Sequence, residues 1–176
     1  VVNNRGSIAD GDFRGATVTN YDDGTVTGGT FDKFTVATDE DGERTITITG
    51  AIDMDSANAL HPLTIGLDAV KSVTIAAGGS FDAGSTTVSA HVFNYGEIGG
   101  GTFREGTVYN RNGGVISAGT FDTTVYNQGS KIAGGTFNAT VNNADGGEIS
   151  GGTFSNKTVV NNRGSIADGD FRGATV

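Results

Sequence analysis

The sequence predicts an all-β protein, a right-handed parallel β-solenoid (β-helix) with about 17 residues in each coil. Three observations favour this fold class: a short internal repeat, a fixed spacing between two apolar positions inside each repeat, and a composition of 30 Gly against 1 Pro. Repeats of this length suit one solenoid coil, which buries its apolar face only by stacking on its neighbours. The apolar spacing i, i+3, i+4, i+7 of an amphipathic helix is not visible.

Three landmarks define the repeat. An asparagine two residues after a valine recurs at Asn94, Asn110, Asn127, Asn143, Asn161 and, in the next unit, Asn20. An aliphatic residue follows it at Ile98, Ile116, Ile132, Ile149, Ile166 and Val26. A phenylalanine completes each set at Phe103, Phe121, Phe137, Phe154, Phe171 and Phe31. We expect these positions to stack as three structural ladders along the solenoid axis.

The spacing inside the repeat separates a rigid segment from two corners. The aliphatic residue precedes the phenylalanine by 5 residues in all 6 sets, as in IGGGTF and ISAGTF. The distance from Asn to the aliphatic residue varies between 4 and 6, and that from Phe to the next Val between 4 and 5. Insertions collect in turns at the surface, so the variable joints predict the corners of each coil.

The segment Thr-Val-x-Asn, for example Thr107 to Asn110, predicts a strand with its Val and Asn on one face. If the valine points into the core, the asparagine does too. Asparagines stacked about 4.8 Å apart can bond amide to amide, which satisfies polar groups that are costly to bury. Glycine permits the sharp corners, whereas proline would remove a backbone donor needed between coils.

A longer repeat encloses the short one. Residues 1–18 return unchanged as residues 159–176, a period of 159 − 1 = 158 residues. Neither end shows an atypical capping coil, so we expect a portion of a tandem array or a subunit that stacks head to tail. With about nine coils in each 158-residue unit, the unit would rise roughly 40 to 45 Å.

Pattern changes divide the chain into three parts: solenoid coils at 1–37, irregular coils with a protruding excursion at 38–80, and solenoid coils at 81–176. Within the middle part, Arg44 to Ile52 alternates cleanly and predicts a strand. Residues 68–81 resume the solenoid rhythm and end in GGSF, which we interpret as a form of the GGTF corner. Between them, residues 53–63 carry Pro62 and predict a short helix or a projecting loop.

The ISGGTF, TVxN and GGxIxGGTF rhythm resembles the glycine-rich β-solenoid repeats of large bacterial secreted or cell-surface proteins, often described as adhesin-like. The resemblance covers about two thirds of the chain, from Asn94 onward and around through Phe34. It implies display at the cell surface and a stalk or adhesive role. It brings no catalytic residues, because its motif is one of architecture.

Composition restricts the partners. The net charge of −9 opposes nucleic-acid binding and side-by-side clumping. The chain has no Cys, so disulfides take no part, and no run of residues is long and apolar enough to span a membrane. We expect an extracellular or cell-surface location and self-association as the main partnership.

Catalysis is not expected, because His61 and His91 lie in different coils without a nearby nucleophile. Calcium is the one cofactor considered, and neither acidic segment has EF-hand spacing. Its candidate ligands are Asp39, Asp41, Glu43, Asp53 and Asp55. Two Asn-x-Thr sequons, at Asn138 and Asn156, are candidate glycosylation sites.

Residues between the Val and Asn positions include Phe93, Tyr109 and Tyr126, which predict an aromatic strip on the outer face. The same positions lack the regular Thr-x-Thr rows of an ice-binding face. The strip could stabilise the stack, or bind sugar or a neighbouring filament. The sequence therefore favours a structural segment of an extracellular filament, sheath or stalk, with an adhesin that binds glycan or a host surface as the alternative.

Overall fold

A computed structural model describes residues 2–16, 18–20, 25–54, 70–155 and 158–176, and every regular element among them is a β-strand. The predicted helix or loop at 53–63, with Asp55, His61 and Pro62, lies almost wholly outside the described residues. In chain order the strands are β1 (Val2–Asn4), β2 (Ser7–Ile8), β3 (Val18–Asn20), β4 (Thr25–Val26), β5 (Gly29–Thr30), β6 (Phe34–Thr38), β7 (Arg44–Ile48), β8 (Ala51–Asp53), β9 (Val70–Ile75), β10 (Ser80–Val88), β11 (His91–Asn94), β12 (Glu97–Phe103), β13 (Val108–Arg111), β14 (Val115–Ile116), β15 (Thr120–Phe121), β16 (Val125–Gln128), β17 (Lys131–Ile132), β18 (Thr136–Phe137), β19 (Val141–Asn143), β20 (Glu148–Phe154), β21 (Val160–Asn162) and β22 (Ser165–Asp170).

One wall of the solenoid is a parallel sheet in the order β7-β9-β11-β13-β16-β19-β21. Its register places a valine of each coil opposite the valine of the next, at Val92, Val108, Val125, Val141 and Val160. These steps of 16, 17, 16 and 19 residues confirm the predicted coil of about 17 residues. Each coil thus rests on the one before it.

The opposite wall contains β8, β10, β12, β14, β15, β17, β18, β20 and β22, again in parallel. Between the aliphatic and phenylalanine positions the backbone bends, and glycines there, such as Gly119 and Gly135, have φ values of 117° and 104°. Side chains rarely adopt this conformation, which explains why the five-residue spacing keeps its glycine. The wall therefore presents two short parallel strips joined by a glycine bend.

The core consists of side chains that point inward from both walls. Ile116, Ile132, Phe121 and Phe137 are all 0% exposed. Each lies in register with the same residue type in the next coil. Alternation of buried and exposed residues along each strand follows from the twofold side-chain period of β-structure. The expected all-β solenoid is confirmed.

An antiparallel meander interrupts the parallel order at residues 29–48, across the boundary between the expected regular coils at 1–37 and the expected irregular coils at 38–80. Strand β6 pairs antiparallel with β5 on one side and with β7 on the other. A tight connection closes the first hairpin, where the Phe31 N–H donates to the Phe34 carbonyl at 2.8 Å. Before the meander, β1 to β4 form two separate two-stranded parallel sheets.

The GGSF segment differs from the GGTF corner that its sequence predicts. Phe81 does not continue the phenylalanine column; it lies in register with Ile52 and Ile98 in the aliphatic column. Val88 takes the phenylalanine position opposite Phe103. The reason is that β10 is long, with nine residues. More residues therefore separate its aliphatic position, Phe81, from its phenylalanine position, Val88, than in the shorter coils.

Candidate functional site

The asparagine ladder is the most unusual feature of the core. Asn94, Asn110, Asn127 and Asn143 are 0% exposed. Each donates from its side-chain Nδ2 to the Oδ1 of the next asparagine, at 2.7 Å for the first three bonds and 2.8 Å for the bond from Asn143 to Asn162. The amides therefore satisfy one another where water cannot reach them.

Each ladder amide makes a second bond to the opposite wall. The acceptor is the main-chain carbonyl of the residue just before the aliphatic position of the following coil. The donor–acceptor distances run from 3.0 to 3.2 Å, for Asn94 to Val115, Asn110 to Lys131, Asn127 to Glu148 and Asn143 to Ser165. The ladder thus ties the two walls of successive coils together at the corner.

The same side chains shape the corners. In the short corners, the Oδ1 of Asn94 accepts the Gly96 N–H and that of Asn162 accepts the Gly164 N–H, both at 3.2 Å. In a longer corner the backbone closes the turn itself, as where the Gly147 N–H donates to the Ala144 carbonyl at 2.8 Å. The variable joint predicted from the sequence therefore has two ways of closing around one fixed ladder.

Glycines in these corners make room for the amides. A Cβ at Gly147 would lie 2.4 Å from the Oδ1 of Asn143, and one at Gly114 would lie 2.6 Å from the Oδ1 of Asn110. Real Cβ atoms do not approach so closely, so any larger residue would displace the ladder or the backbone. Spacing arguments alone did not assign this role to the glycines.

The ladder member in the last coil is Asn162, which corrects the expected Asn161. Asn161 is exposed and donates to the Oδ1 of Asn142 at 2.8 Å on the outer face. Both asparagines follow a valine by two residues, so the rule could not choose between them. Val160 is 2% exposed while Val159 is 42% exposed. Because residues two apart on a strand share a face, the inward position of Val160 places Asn162 on the inner face too.

At the start of the chain the corresponding residue is Asn4, which is 7% exposed and donates to the Thr25 carbonyl at 3.0 Å. The strand register places Asn20, the expected ladder residue of the following coil, opposite Asn4. The side chain of Asn20 is outside the described set. The same corner bond is thus present at Asn4 as in the later coils.

The ladder has a direction. Every side-chain amide bond from Asn94 to Asn143 donates toward the later coil. Asn162 accepts from Asn143, is exposed, and has no acceptor for its own Nδ2 within the described part of the chain. The edge at Asn162 therefore offers N–H groups, whereas the other end of the ladder, at Asn94, is buried opposite Ile75 and its Oδ1 accepts the Gly96 N–H.

The phenylalanine column is the apolar counterpart of the ladder. Its rings stack nearly parallel, with centroids 4.9 Å apart between Phe103 and Phe121, Phe121 and Phe137, and Phe137 and Phe154. Phe171 continues it at 4.4 Å. Near the chain start, Phe31 stacks between Phe13 at 5.3 Å and Phe34 at 4.7 Å. The column at that end therefore passes into the antiparallel meander.

The aliphatic column behaves in the same way. Ile98, Ile116, Ile132 and Ile149 are 0% exposed and lie opposite one another in turn. Ile166 extends this column, opposite Ile149. At the other end, Val26 lies opposite Ile8. The structure thus brings together the aliphatic residues that the sequence selected.

The predicted aromatic strip is present on the outer face of the first wall. Phe93 and Tyr109 have ring centroids 5.1 Å apart at an interplanar angle of 6°, and Tyr109 and Tyr126 are 5.5 Å apart at 12°. All three rings are half-buried. Because the rings cover each other's faces, the strip shows solvent mainly its edges. The Arg111 guanidinium lies 4.6 Å from the Tyr109 ring centroid.

The first calcium candidates are occupied by other interactions. Lys71 Nζ lies 2.5 Å from a carboxylate oxygen of Glu43 and 3.4 Å from one of Asp39. The Asp39 carboxylate accepts the Glu43 and Asp41 N–H groups, and these bonds with the nearby Lys71 hold its pKa below the ordinary value. Asp53 lies on β8, away from this turn in sequence. Within the described ranges, no group of three or more acidic, His or Cys residues is placed to hold a metal ion.

The remaining candidate residues lie apart. Asn138 is at a surface corner, where its Nδ2 donates to Asp122 at 2.8 Å; Asn156 is outside the described residues. His91 is exposed at the start of β11. None of the described residues belongs to a helix of the length and apolarity needed to cross a membrane.

No family model, no curated protein and no solved structure matches this chain. The β-solenoid and the asparagine ladder are therefore established from this chain's own residues. The likeness to glycine-rich bacterial surface repeats is a resemblance of sequence pattern.

Proposed function

We propose that this chain is a structural repeat segment of an extracellular filament, sheath or giant surface stalk, built by continued stacking of β-solenoid coils. The observation that carries the proposal is the directional asparagine ladder, which runs from Asn94 to Asn162. A ladder of this kind gains from every added coil, since each new amide satisfies the last. Extension along the axis is the role that such a core serves.

The repeated sequence supports the same role. Residues 1–18 and 159–176 are identical. The coil at residues 159–176 can therefore be followed by the same coils that follow residues 1–18. Units related by such a repeat associate head to tail, and a head-to-tail contact that does not close yields a fibre. We propose that the partner is another unit of the same sequence, joined covalently or by stacking.

Location and chemistry are parts of the same proposal. The ISGGTF and TVxN pattern resembles repeats of large bacterial secreted or surface proteins, which supports placement outside the cell. A charge of −9 would keep neighbouring filaments apart. The proposal includes no enzymatic activity, no cofactor and no nucleic-acid partner.

Electron microscopy combined with SDS denaturation tests the proposal. We expect filaments from the native material. A single very large denatured species would indicate covalent tandem units, and a single small species would indicate stacked subunits. Discrete particles without filaments, at concentrations where the chain is folded, would contradict the structural role.

A second candidate function is a binding module of an adhesin that recognises glycan or a host surface. The outward strip of Phe93, Tyr109 and Tyr126 favours it, because aromatic side chains commonly contact sugars. The stacked rings leave only the outer faces of Phe93 and Tyr126 free of a ring partner in this strip. Glycan-array binding that is lost in Tyr126→Ala and kept in Tyr95→Ala would support this function, and equal binding of the two variants would oppose it.

A further inference from the structure

The duplicated segment is present in two different environments in one structure. As residues 2–13 it rests on the coil that follows it, and as residues 160–171 it rests on the coil that precedes it. The two copies have the same sequence. The structure therefore shows both sides of one coil bound, each in a separate copy.

The first copy binds the surface formed by β4 and β5, which we call the receiving surface (residues 25–31). The Thr25 N–H donates to the Gly6 carbonyl at 2.7 Å, and the Phe13 N–H donates to the Thr30 carbonyl at 2.8 Å. Ile8 lies opposite Val26. The first copy has no coil on its other side among the described residues.

The second copy binds through its opposite side. The Asn143 amide donates to the Oδ1 of Asn162 at 2.8 Å, Ile166 lies opposite Ile149, and the ring of Phe171 stacks on Phe154 at 4.4 Å. Its free side corresponds to the side by which the first copy binds the receiving surface. Because the two sets of contacts use opposite sides, one segment can make both at once.

We propose that this chain binds a second copy of itself by segment exchange: residues 160–171 of one chain take the place of residues 2–13 on the receiving surface of the next. The joint then contains one shared coil in place of two. The aliphatic and phenylalanine columns continue through it with the contacts that Ile8 and Phe13 make in this structure, and Asn162 takes over the bond of Asn4 to the Thr25 carbonyl. The inference rests on the proposed structural function and specifies its contact.

Simple stacking of one copy on the other is less favourable because it aligns like charges. An in-register stack would set Asp168 over Asp10 and Asp170 over Asp12, about 4.8 Å apart. Like charges directly opposite on neighbouring strands destabilise the pair. In the exchanged joint the neighbour of Asp170 is Thr30, which already forms a bridge with Asp12 here.

Exchange between identical segments keeps the contacts of the receiving surface unchanged, so its main cost is the opening of residues 2–13. Those residues are held by β1 and β2, which have 3 and 2 residues and pair within two-stranded sheets, and by the contacts of Asp12 and Phe13 with Thr30. Small peripheral elements of this kind open more readily than a central sheet. Domain swapping of this type is a low-cost route to association.

Disulfide trapping tests the register directly, because the chain has no native Cys. The probe is a synthetic 18-residue peptide of residues 1–18 carrying Ser7→Cys. It is incubated under mild oxidation with three full-length variants, each with one new thiol: Thr25→Cys, Ser165→Cys and Ser89→Cys. Residues 7 and 25 are opposite each other in this structure, whereas simple stacking would place residue 7 of the peptide opposite residue 165.

We expect trapping at Thr25→Cys at least about tenfold faster than at Ser89→Cys, since docking raises the effective thiol concentration. A peptide that also carries Ile8→Asp and Phe13→Asp should lose this advantage, while one that also carries Gly6→Ala should keep it because a Cβ there meets open space. Preferential trapping at Ser165→Cys would replace exchange with stacking. Equal, slow trapping at all three sites would overturn exchange.

This result is separable from the test of the proposed function. Filaments without trapping at Thr25→Cys would refute segment exchange and leave the structural role standing. Trapping without filaments would support the receiving surface and count against the filament. Urea unfolding of each thiol variant checks that the three chains are equally folded.

Discussion

The coils from Asn94 onward and the coils of β7 and β9 use the same wall position differently. In the first region the inward position next to the corner is asparagine, buried to 0% exposure at Asn94, Asn110, Asn127 and Asn143. In the second it is isoleucine: Ile48 lies opposite Ile75, and Ile75 opposite Asn94. The wall register therefore tolerates either an apolar or a polar column.

In the interior of the polar column each amide depends on the asparagines on both sides of it. An asparagine between two asparagines has an acceptor on one side and a donor on the other, so it is fully satisfied. An isoleucine needs no partner and can border either kind of coil. The ladder consequently begins at Asn94, directly after Ile75, and at this wall position β7 and β9 are joined by the apolar contact of Ile48 with Ile75.

The largest effect should come from the phenylalanine column, with Phe121→Ala compared against Phe13→Ala. Phe121 is 0% exposed and stacks on a ring at 4.9 Å on each side, so its removal should cost about 3–5 kcal/mol of the free energy of unfolding. Phe13 is partly buried and stacks on one ring at 5.3 Å. Urea unfolding measures the free energy of unfolding of both variants. An equal loss in the two would contradict the expectation that the column stabilises the chain more at Phe121 than at Phe13.

Breaking the ladder should rank second. Asn127→Ile introduces into the regular region the residue type found at position 75. It leaves the Nδ2 donor of Asn110 and the Oδ1 acceptor of Asn143 without their ladder partners. Each unsatisfied buried group costs about 1–3 kcal/mol, partly offset by the added apolar side chain, so we expect a net loss of about 2–3 kcal/mol.

The reverse substitution sharpens this comparison. Ile75→Asn should lose less than Asn127→Ile, because the new amide can donate to the Oδ1 of Asn94 and lengthen the ladder by one step. Chemical denaturation of the two variants side by side gives the ranking. A greater loss for Ile75→Asn would show that the irregular coils require an apolar column.

A smaller effect should follow from the corner glycines. Gly147→Ala brings a Cβ to 2.4 Å from Asn143 Oδ1 and 2.6 Å from the Asn127 carbonyl, and the required shift should cost about 1–3 kcal/mol. Gly6→Ala is the matched control, since nothing lies within 4 Å of its Cβ. Equal midpoints of thermal unfolding for the two variants would contradict this account of the corner.

The smallest effect concerns the exposed ion pairs at the two copies of the duplicated segment. Hydrogen bonds from the Arg14 side chain and backbone lower the pKa of Asp12 to about 2, and Arg172 does the same for Asp170. A carboxylate with a lowered pKa in the folded chain contributes stability above its unfolded pKa of about 3.9, and this contribution is lost as the pH falls toward about 2. Carboxyl NMR titration should show both groups titrating near 2, and Arg14→Gln should raise the pKa of Asp12 alone.

Much of the fold was predictable because its signal is repeated. The five-residue spacing from Ile116 to Phe121 recurs in every regular coil, and its repetition identified the two apolar columns. The alternation in Thr-Val-x-Asn placed Val and Asn on one face without reference to any neighbour. Local periodicity determines which side chains point inward.

Features that occur only once in the chain cannot be predicted from a repeated pattern. Strand β6 lies antiparallel between β5 and β7 because of pairings across the sheet, and no local pattern in Phe34–Thr38 separates that outcome from another parallel coil. Phe81 entered the aliphatic column for a similar reason, through its register with Ile98. Such choices depend on contacts distant in sequence.

The periodicity of the sequence is sufficient to predict the coil length, the residue types in the ladder and the repeat that relates the two copies of the 18-residue segment. The replacement of Asn161 by Asn162 follows only from contacts between coils, because both asparagines satisfy the same spacing and the pairing of Val160 with Val141 separates them. The tertiary structure also supplied the carbonyl partners of the ladder on the opposite wall, such as that of Lys131 for Asn110. Spacing fixes the face of a strand, whereas hydrogen-bond partners depend on how neighbouring coils align.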